Sequence, residues 1–529
     1  MPKAPTPAQR TRLSLRAKHS LWRRGILDWK LTPNSLGVSQ MLDAAPRLST
    51  LVDESSRKVG KSYLGLVKTF EALIRNPGKR SNYACMTGKM ASEIVVPLIT
   101  QVAADAPPEL LPHYSLQTGH ITFPEDGPAK GAYAVLFGCE DVLKADRGRG
   151  PESVLNVVDE GGFIPVLKYV MTDVLRPQLT HTKGKTLLLS SPPLTPAHHF
   201  CVVADAARVR GRYSNRNIYT PGGLFSTAEE IEEYIVSFAE ELGVPLELFR
   251  KSSTYKREVL GQRAVDESLA VVPEFAQVEH DSTEKHPVTG EDVFLRGIVR
   301  PHPRPAGFVH VDRYVSLDPG MSDFSGGLGA YLDFLAGGLV VIDWEFLLAR
   351  ANTRTLAEAV VAKERETWPS GEFDKDGLPL PLTVRLRVVD DPHQRLVADL
   401  WAEHKLSFSP ARKDDRESAI NLLRTIVGAR KLVVLPHCTH AISQLRNAIR
   451  TRPGADMARQ EGAGHFDLVA AAWYLTRHVD RQRNPYPADF GVPDIFHHVG
   501  GKQPPKPNPL SAALLGGTSL GRRLLRGPR

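Results

Sequence analysis

With 529 residues the chain is several times the usual domain length of about 100 to 200, so two or three domains with sizeable cores are expected and a small binding module is excluded. The net charge of +8 sits at the ends: residues 1 to 30 hold eight Lys and Arg against Asp28 alone, and Arg522, Arg523, Arg526 and Arg529 close the chain, leaving a near-neutral body. Basic ends read either as arms touching nucleic acid or an acidic partner, or as solubilising tails.

Cys85, Cys139, Cys201 and Cys438 are scattered without close pairing, which suits a reducing cytosol better than a disulfide framework. His437-Cys438-Thr439-His440 reads as a strand end rather than a zinc site, because a closed site needs a fourth ligand and a suitable loop. No apolar run of about 20 residues and no apolar secretory segment occurs, so no membrane partner is expected and the chain reads as soluble and intracellular.

Residues 1 to 30 form a basic arm, helical in part, with Trp22 and Trp29 as packing anchors. From 31 to 205 short apolar strands alternate with helical stretches, the pattern of an α/β domain with a parallel-rich central sheet. Strands are expected at Ser49 to Val52, Ser81 to Met86, Ala132 to Phe137, Val154 to Val158 and Thr186 to Leu189. Residues 206 to 307 form a more polar lid or linker with a helix near Thr227 to Leu242. Its three closing prolines, Pro301, Pro303 and Pro305, favour a stiff connector, which puts the main boundary there. A second α/β pattern runs from 308 to 480, and the Pro/Gly/Arg-rich tail from 481 to 529 is expected to be poorly ordered. No internal repeats occur.

Ser55-Ser56-Arg57-Lys58-Val59-Gly60-Lys61-Ser62 ends in the Gly-Lys-Ser of a phosphate-binding loop, although Ser55 stands at the usual first glycine. In such a loop, backbone N–H groups at the positive end of a helix cradle phosphates, the lysine reaches them and the serine hydroxyl ligates magnesium. ATP with Mg2+ is therefore the expected ligand. An acidic pair should follow an apolar strand further on, and Val154-Leu155-Asn156-Val157-Val158-Asp159-Glu160 supplies it. Asp159 would hold magnesium and Glu160 would activate the attacking water. A guanidinium within the loop, Arg57, could act as an arginine finger in cis. Thr186-Leu187-Leu188-Leu189-Ser190-Ser191 is a strand ending in hydroxyls able to sense a γ-phosphate from beside the loop.

In the second half, Val311 to Leu317 is a strand running into Asp318-Pro319-Gly320. Strands near Gly327 to Phe334 and Gly338 to Trp344 suggest an antiparallel meander. Thr383 to Val389 ends in Asp390-Asp391-Pro392, and Asp467 lies in the first turn of an alanine-rich helix. Acids at two strand ends and a helix start fit a ribonuclease-H-like fold. Carboxylates are the hard ligands that hold two divalent cations, Mg2+ or Mn2+, for phosphodiester cleavage. Asp318, Asp391 and Asp467 are the expected ligands, with Asp323 as an extra one. Side chains alternate along a strand, so only one of Asp390 and Asp391 should point at the metals.

The order of these features resembles the large subunit of tailed-bacteriophage terminase. The likeness spans roughly residues 30 to 480 and is carried by the loop, Val157 to Glu160, Leu189 to Pro192, Lys256-Arg257-Glu258-Val259-Leu260-Gly261, Leu317 to Gly320, Asp391-Pro392 and His465 to Leu468. The resemblance implies a P-loop ATPase domain joined by a linker to a nuclease, driving double-stranded DNA through the portal into a procapsid and cutting concatemers. It implies Ser190 and Ser191 as a coupling motif, Arg257-Glu258 as a lid signature, Asp391 rather than Asp390 as the ligand, and Gln40 as the adenine contact. It also implies partners: double-stranded DNA, a portal protein, a terminase small subunit and a homo-oligomeric, pentameric ring. The setting implied is the host cytoplasm, with transient docking on the portal and absence from the mature virion. Two other readings are a helicase or remodelling ATPase with a non-cutting C-terminal domain, and an adaptor with a degenerate ATPase fold.

Overall fold

A computed structural model describes residues 14–225, 227–285, 289–305, 310–320, 324–391, 394–452, 454–459, 466–481, 483 and 496–498. Asp323, His465, the first part of the basic arm and the arginine-rich end of the tail lie outside the described residues. The chain forms two compact units, the first running to Leu269 and the second starting at Ala270.

In the first unit the arm contributes helix α1 (Leu15–Arg23), and α2 (Pro33–Ala44) follows. Trp22 and Trp29 are buried in the core beside Phe70, as anchors should be. The sheet comprises β1 (Thr50–Glu54), β2 (Arg80–Cys85), β3 (His113–Ser115), β4 (His120–Thr122), β5 (Tyr133–Gly138), β6 (Ser153–Val158), β7 (Lys185–Ser190) and β8 (Tyr213–Ser214), in the order β3-β4-β5-β2-β6-β7-β1-β8. From β5 to β8 every pairing is parallel, and β3 and β4 add an antiparallel edge. β2, β6 and β7 are buried along nearly their whole length, as strands covered on both faces must be.

β7 lies between β1 and β6, pairing Glu54 with Ser190 and Val158 with Leu188. The ends of three strands therefore meet at one carboxyl edge, where open α/β sheets take their ligands. Helix α3 (Lys61–Arg75) leaves that edge and buries Leu64, Val67 and Phe70 against the sheet. Beyond β8, α4 (Ala228–Glu241) starts at a capping box of Thr227 and Glu230 and shares a small core with Phe249, Tyr255 and Val259.

The second unit starts well before the proline-rich connector. The described residues between 270 and 305, expected with the lid, are tied into it: Ala270 bridges Ile449, Val299 bridges Val434, and Arg424 Nη2 lies 2.6 Å from Glu274 Oε1. Proline content marks an extended chain but not which core it packs on, and these contacts decide that.

Its hairpin of β9 (Ser282–Lys285) and β10 (Asp292–Leu295) precedes the main sheet. That sheet contains β11 (Val311–Asp318), β12 (Phe324–Asp333), β13 (Leu339–Ala349), β14 (Leu386–Val389), β15 (Ser409–Pro410) and β16 (Leu432–Val434), ordered β15-β14-β11-β12-β13-β16. β11, β12 and β13 form the expected antiparallel meander, and β14 lies parallel to β11. One face packs Val315, Leu317 and Val389 with Trp344, Val360 and Trp368, beneath α5 (Thr353–Thr367) and α6 (Arg395–His404). α7 (Arg416–Gly428) and α8 (Thr439–Asn447) follow, and α9 (Asp467–His478) lies against β11, β12 and β14. Cys438 is the N-cap of α8, so His437-Cys438-Thr439-His440, expected at a strand end, lies at a helix start beyond β16.

No helix among the described residues is long and apolar enough to cross a membrane.

Candidate functional site

The loop between β1 and α3 turns through Gly60, whose φ of 82° is the left-handed conformation that glycine takes without strain. α3 begins at Lys61, so the N–H groups of its first turn have no helical partner and face the loop. Lys61 is buried, and Nζ donates to Ser55 O at 3.0 Å, Ser56 O at 2.7 Å and Ser191 Oγ at 3.2 Å. The lysine thus joins the loop to the end of β7. Ser190 Oγ accepts from Gly162 N–H at 2.8 Å, while its carbonyl accepts from Ser55 N–H.

At the end of β6, Tyr83 OH donates to Asp159 Oδ2 at 2.9 Å. Burial and the neighbouring Glu160 push the Asp159 carboxyl up to about 6, opposed by hydrogen bonds from Ser62 and Tyr83. Glu160 has φ 53°, a left-handed conformation that is costly for a residue with a Cβ, and its Oε2 is buried without a hydrogen bond. Arg57, Lys58, Val59, Gly60, Lys61, Ser62 and Glu160 line a cleft of about 850 Å³. Ser56 is buried and tied by its N–H to Arg216 O. Gln40 is exposed on α2 and is not among the lining residues, which corrects its expected contact with the base: the turn of α2 aims it at solvent.

Sequence reasoning missed the polar network under the loop. Arg216 pairs with Asp53 and donates to Ser35 Oγ at 2.9 Å and Val59 O at 3.1 Å. Ser55 Oγ donates to Asp53 Oδ1 at 2.6 Å and accepts from Arg216 N–H at 2.9 Å, so serine in place of the usual glycine has a buried structural task. Arg263 binds both oxygens of Glu54, at 2.8 and 2.9 Å. Arg57 Nε lies 2.7 Å from Glu258 Oε2. Burial is the main cause that raises the Glu258 carboxyl above its usual range. Ser55, Arg57 and Val59 lay in the loop motif and Glu258 in the lid signature, but Arg216 and Arg263 carry no local signal.

In the second unit Asp318 ends β11 opposite Gly326 of β12. A Cβ on Gly326 would come 2.9 Å from Asp467 Cβ and 3.1 Å from Leu468 N, so glycine there lets α9 bring Asp467 down beside Asp318. β14 pairs Val389 with Leu317, which sets Asp390 alongside Asp318. Removal from water, then the charges of Asp467 and Asp390, push the Asp318 carboxyl up to about 8. Asp391 does not join them. Leu317 and Val389 face the core under α5, so Asp318 and Asp390, one residue on, face α9, and Asp391 turns back. Its Oδ2 accepts from Val397 N–H at 2.9 Å in the first turn of α6. The expectation that Asp391 stands beside Asp318 is thereby corrected: Asp390 does, and it accepts from Tyr474 OH at 2.8 Å.

Among the described residues no three His, Cys, Asp or Glu stand close enough to hold one ion as they are. The donor chemistry nevertheless fits a divalent cation: oxygen ligands in mutual repulsion, one of them held far above the usual carboxylate range. Ser62 and the buried Asp159 fit one in the first unit on the same ground.

No family model and no curated protein matches the chain. Solved structures of phage large terminases do align with it. The large terminase of a thermophilic bacteriophage, solved in complex with ADP, has 16% identity over 85% of this chain and 99% of that one, at a TM-score of 0.37. The HK97 bacteriophage large terminase has 12% identity over 85% and 95%, at a TM-score of 0.43. The large terminase nuclease of thermophilic phage G20c has 16% identity over 40% of this chain and all of that one, at a TM-score of 0.26.

Proposed function

We propose that the chain is the large subunit of a phage terminase, an ATP-driven motor that moves double-stranded DNA and cuts it. The observation that carries this reading is the pairing of two assemblies in one chain. Lys61, Ser62, Asp159 and Glu160 meet at one sheet edge, and Asp318, Asp390 and Asp467 gather on one face of a second sheet.

In the first unit the loop N–H groups and Lys61 bind the phosphates of ATP, and Ser62 and Asp159 hold its cation. Glu160 orients the attacking water and takes its proton, and Arg57 stabilises charge developing on the γ-phosphoryl. The contact of Lys61 with Ser191 supports Ser190 and Ser191 as the route by which nucleotide state reaches β7. In the second unit Asp318, Asp390 and Asp467 are the ligands, with Asp318 between the other two. Bound magnesium or manganese supplies Lewis acidity at both sites, screening phosphate charge in one and activating water in the other. DNA contact is electrostatic and sequence-tolerant, as a motor gripping every sequence requires. The partners are DNA, the portal of a procapsid, a small subunit and further copies of the chain in a pentameric ring. The chain works in the host cytoplasm, docks transiently on the portal and is absent from the mature virion.

A packaging assay with procapsids, small subunit and ATP tests the reading, with plasmid cleavage in magnesium or manganese alongside. Packaging and cleavage are expected. ATP turnover without cleavage would instead favour a remodelling ATPase whose second domain only binds, and no turnover on procapsids an adaptor.

A further inference from the structure

Beyond β15 the chain passes through Ala411–Asp415 on its way to α7. Ala411 N–H donates to Val389 O at 2.8 Å, which fixes the start of this loop beside the strand that carries Asp390. Lys413, near its middle, places Nζ 2.5 Å from Asp390 Oδ1, with about half of the lysine side chain exposed. Arg477, ten residues beyond Asp467 on α9, holds the loop on both sides of this lysine. It donates to Arg412 O at 3.3 Å and to Asp414 Oδ2 at 3.0 Å. Tyr474 of the same helix donates to Asp390 Oδ2 at 2.8 Å. One helix therefore supplies Asp467, engages one oxygen of Asp390 and clamps the loop whose lysine engages the other.

Three carboxylates on one sheet face repel one another, and the Lys413 ammonium both pairs with Asp390 and lowers the charge repulsion felt by Asp318. We infer that Lys413 is a built-in counter-ion seated on Asp390 Oδ1, the oxygen that Tyr474 leaves open, and that a divalent cation binding there would have to displace it. Displacement frees a half-exposed ammonium on the rim of the site, tethered by Arg477, where a DNA phosphate is its natural next partner. Lys413 is on this view a positioning residue: it keeps the acid cluster balanced while empty and ties metal loading to the arrival of DNA. The inference rests on the nuclease reading of the second unit and names the part that Lys413 plays in it.

Mn2+ affinity of the full chain without nucleotide or DNA, read by electron paramagnetic resonance of the free ion, tests it in the wild type, Lys413→Met, Lys413→Gln, Lys413→Arg and Asp467→Asn. Removing the competing charge is expected to tighten Mn2+ binding about tenfold in Lys413→Met and Lys413→Gln. Lys413→Arg, which keeps the charge, should stay near the wild type. Unchanged or weaker binding in Lys413→Gln, with circular dichroism matching the wild type, would overturn the inference. Asp467→Asn separates the two levels, because Mn2+ binding that survives it unaltered removes the nuclease site itself, whatever the lysine variants do.

Discussion

Arg57 and Glu258 are joined twice: the guanidinium Nε lies 2.7 Å from Glu258 Oε2, and the Arg57 N–H donates to the Glu258 carbonyl at 2.9 Å. The loop arginine is thus held by the segment beyond β8 while it still lines the cleft beside the loop. On the proposed reading a γ-phosphate would compete with the Glu258 carboxylate for one guanidinium, and ADP would offer no such competitor. Arg57→Ala should slow hydrolysis by about a hundredfold or more while weakening ATP binding far less. Glu258→Gln should tighten ATP relative to ADP, measured by calorimetry. An equal shift for both nucleotides would contradict the competition.

Parity along β14 separates the two adjacent aspartates. Asp390→Asn is expected to abolish plasmid cleavage with little change in melting temperature. Asp391→Ala loses the bond to Val397 N–H and should cost about 0.5–2 kcal/mol of stability, as a lost helix cap does. Cleavage by the folded Asp391→Ala protein should persist. The opposite pattern would return Asp391 to the site.

Gly326 offers a test of how the acids are brought together. A methyl group there meets backbone and Cβ atoms of Asp467 and Leu468 at 2.9 to 3.1 Å, so α9 must move. Gly326→Ala should cost about 1–3 kcal/mol and slow cleavage at least about tenfold through misplacement of Asp467. ATP turnover, which depends on the first unit, should be unchanged. Loss of both activities would point to general unfolding instead.

Asp318 gives the metal-free protein a pH dependence of known sign. Its folded value, about 8, lies above the ordinary value of 3.8, so the fold favours the protonated form. The resulting stabilisation is complete below the unfolded value, falls as pH rises between the two and is gone above the folded one. Melting temperature in EDTA, measured from about pH 5 to 9, should therefore decline more steeply in the wild type than in Asp318→Asn. Parallel curves would mean that Asp318 is not held in this way.

The sequence by itself determined where the chemistry could lie. Gly60 before Lys61 and Ser62, an acidic pair after an apolar strand, and Asp318 at the end of another are local patterns, because turn geometry and strand burial are imposed within a few residues. Five of the eight strands of the first sheet, four of the six of the second and the helix from Asp467 were legible for the same reason, whereas the short edge strands β3, β4, β8, β15 and β16 carry too few residues to show a pattern. What only the tertiary structure decided were matters of partner and face. Val388 and Val389 are both buried, so the alternation that would have separated Asp390 from Asp391 is erased in the sequence, and the register with Leu317 supplies it. Arg216 meets Asp53 and Ser55 across more than 160 residues, and Lys413 meets Asp390 across α6 and β15. Such pairings are set by which strands lie side by side, and no local propensity encodes them.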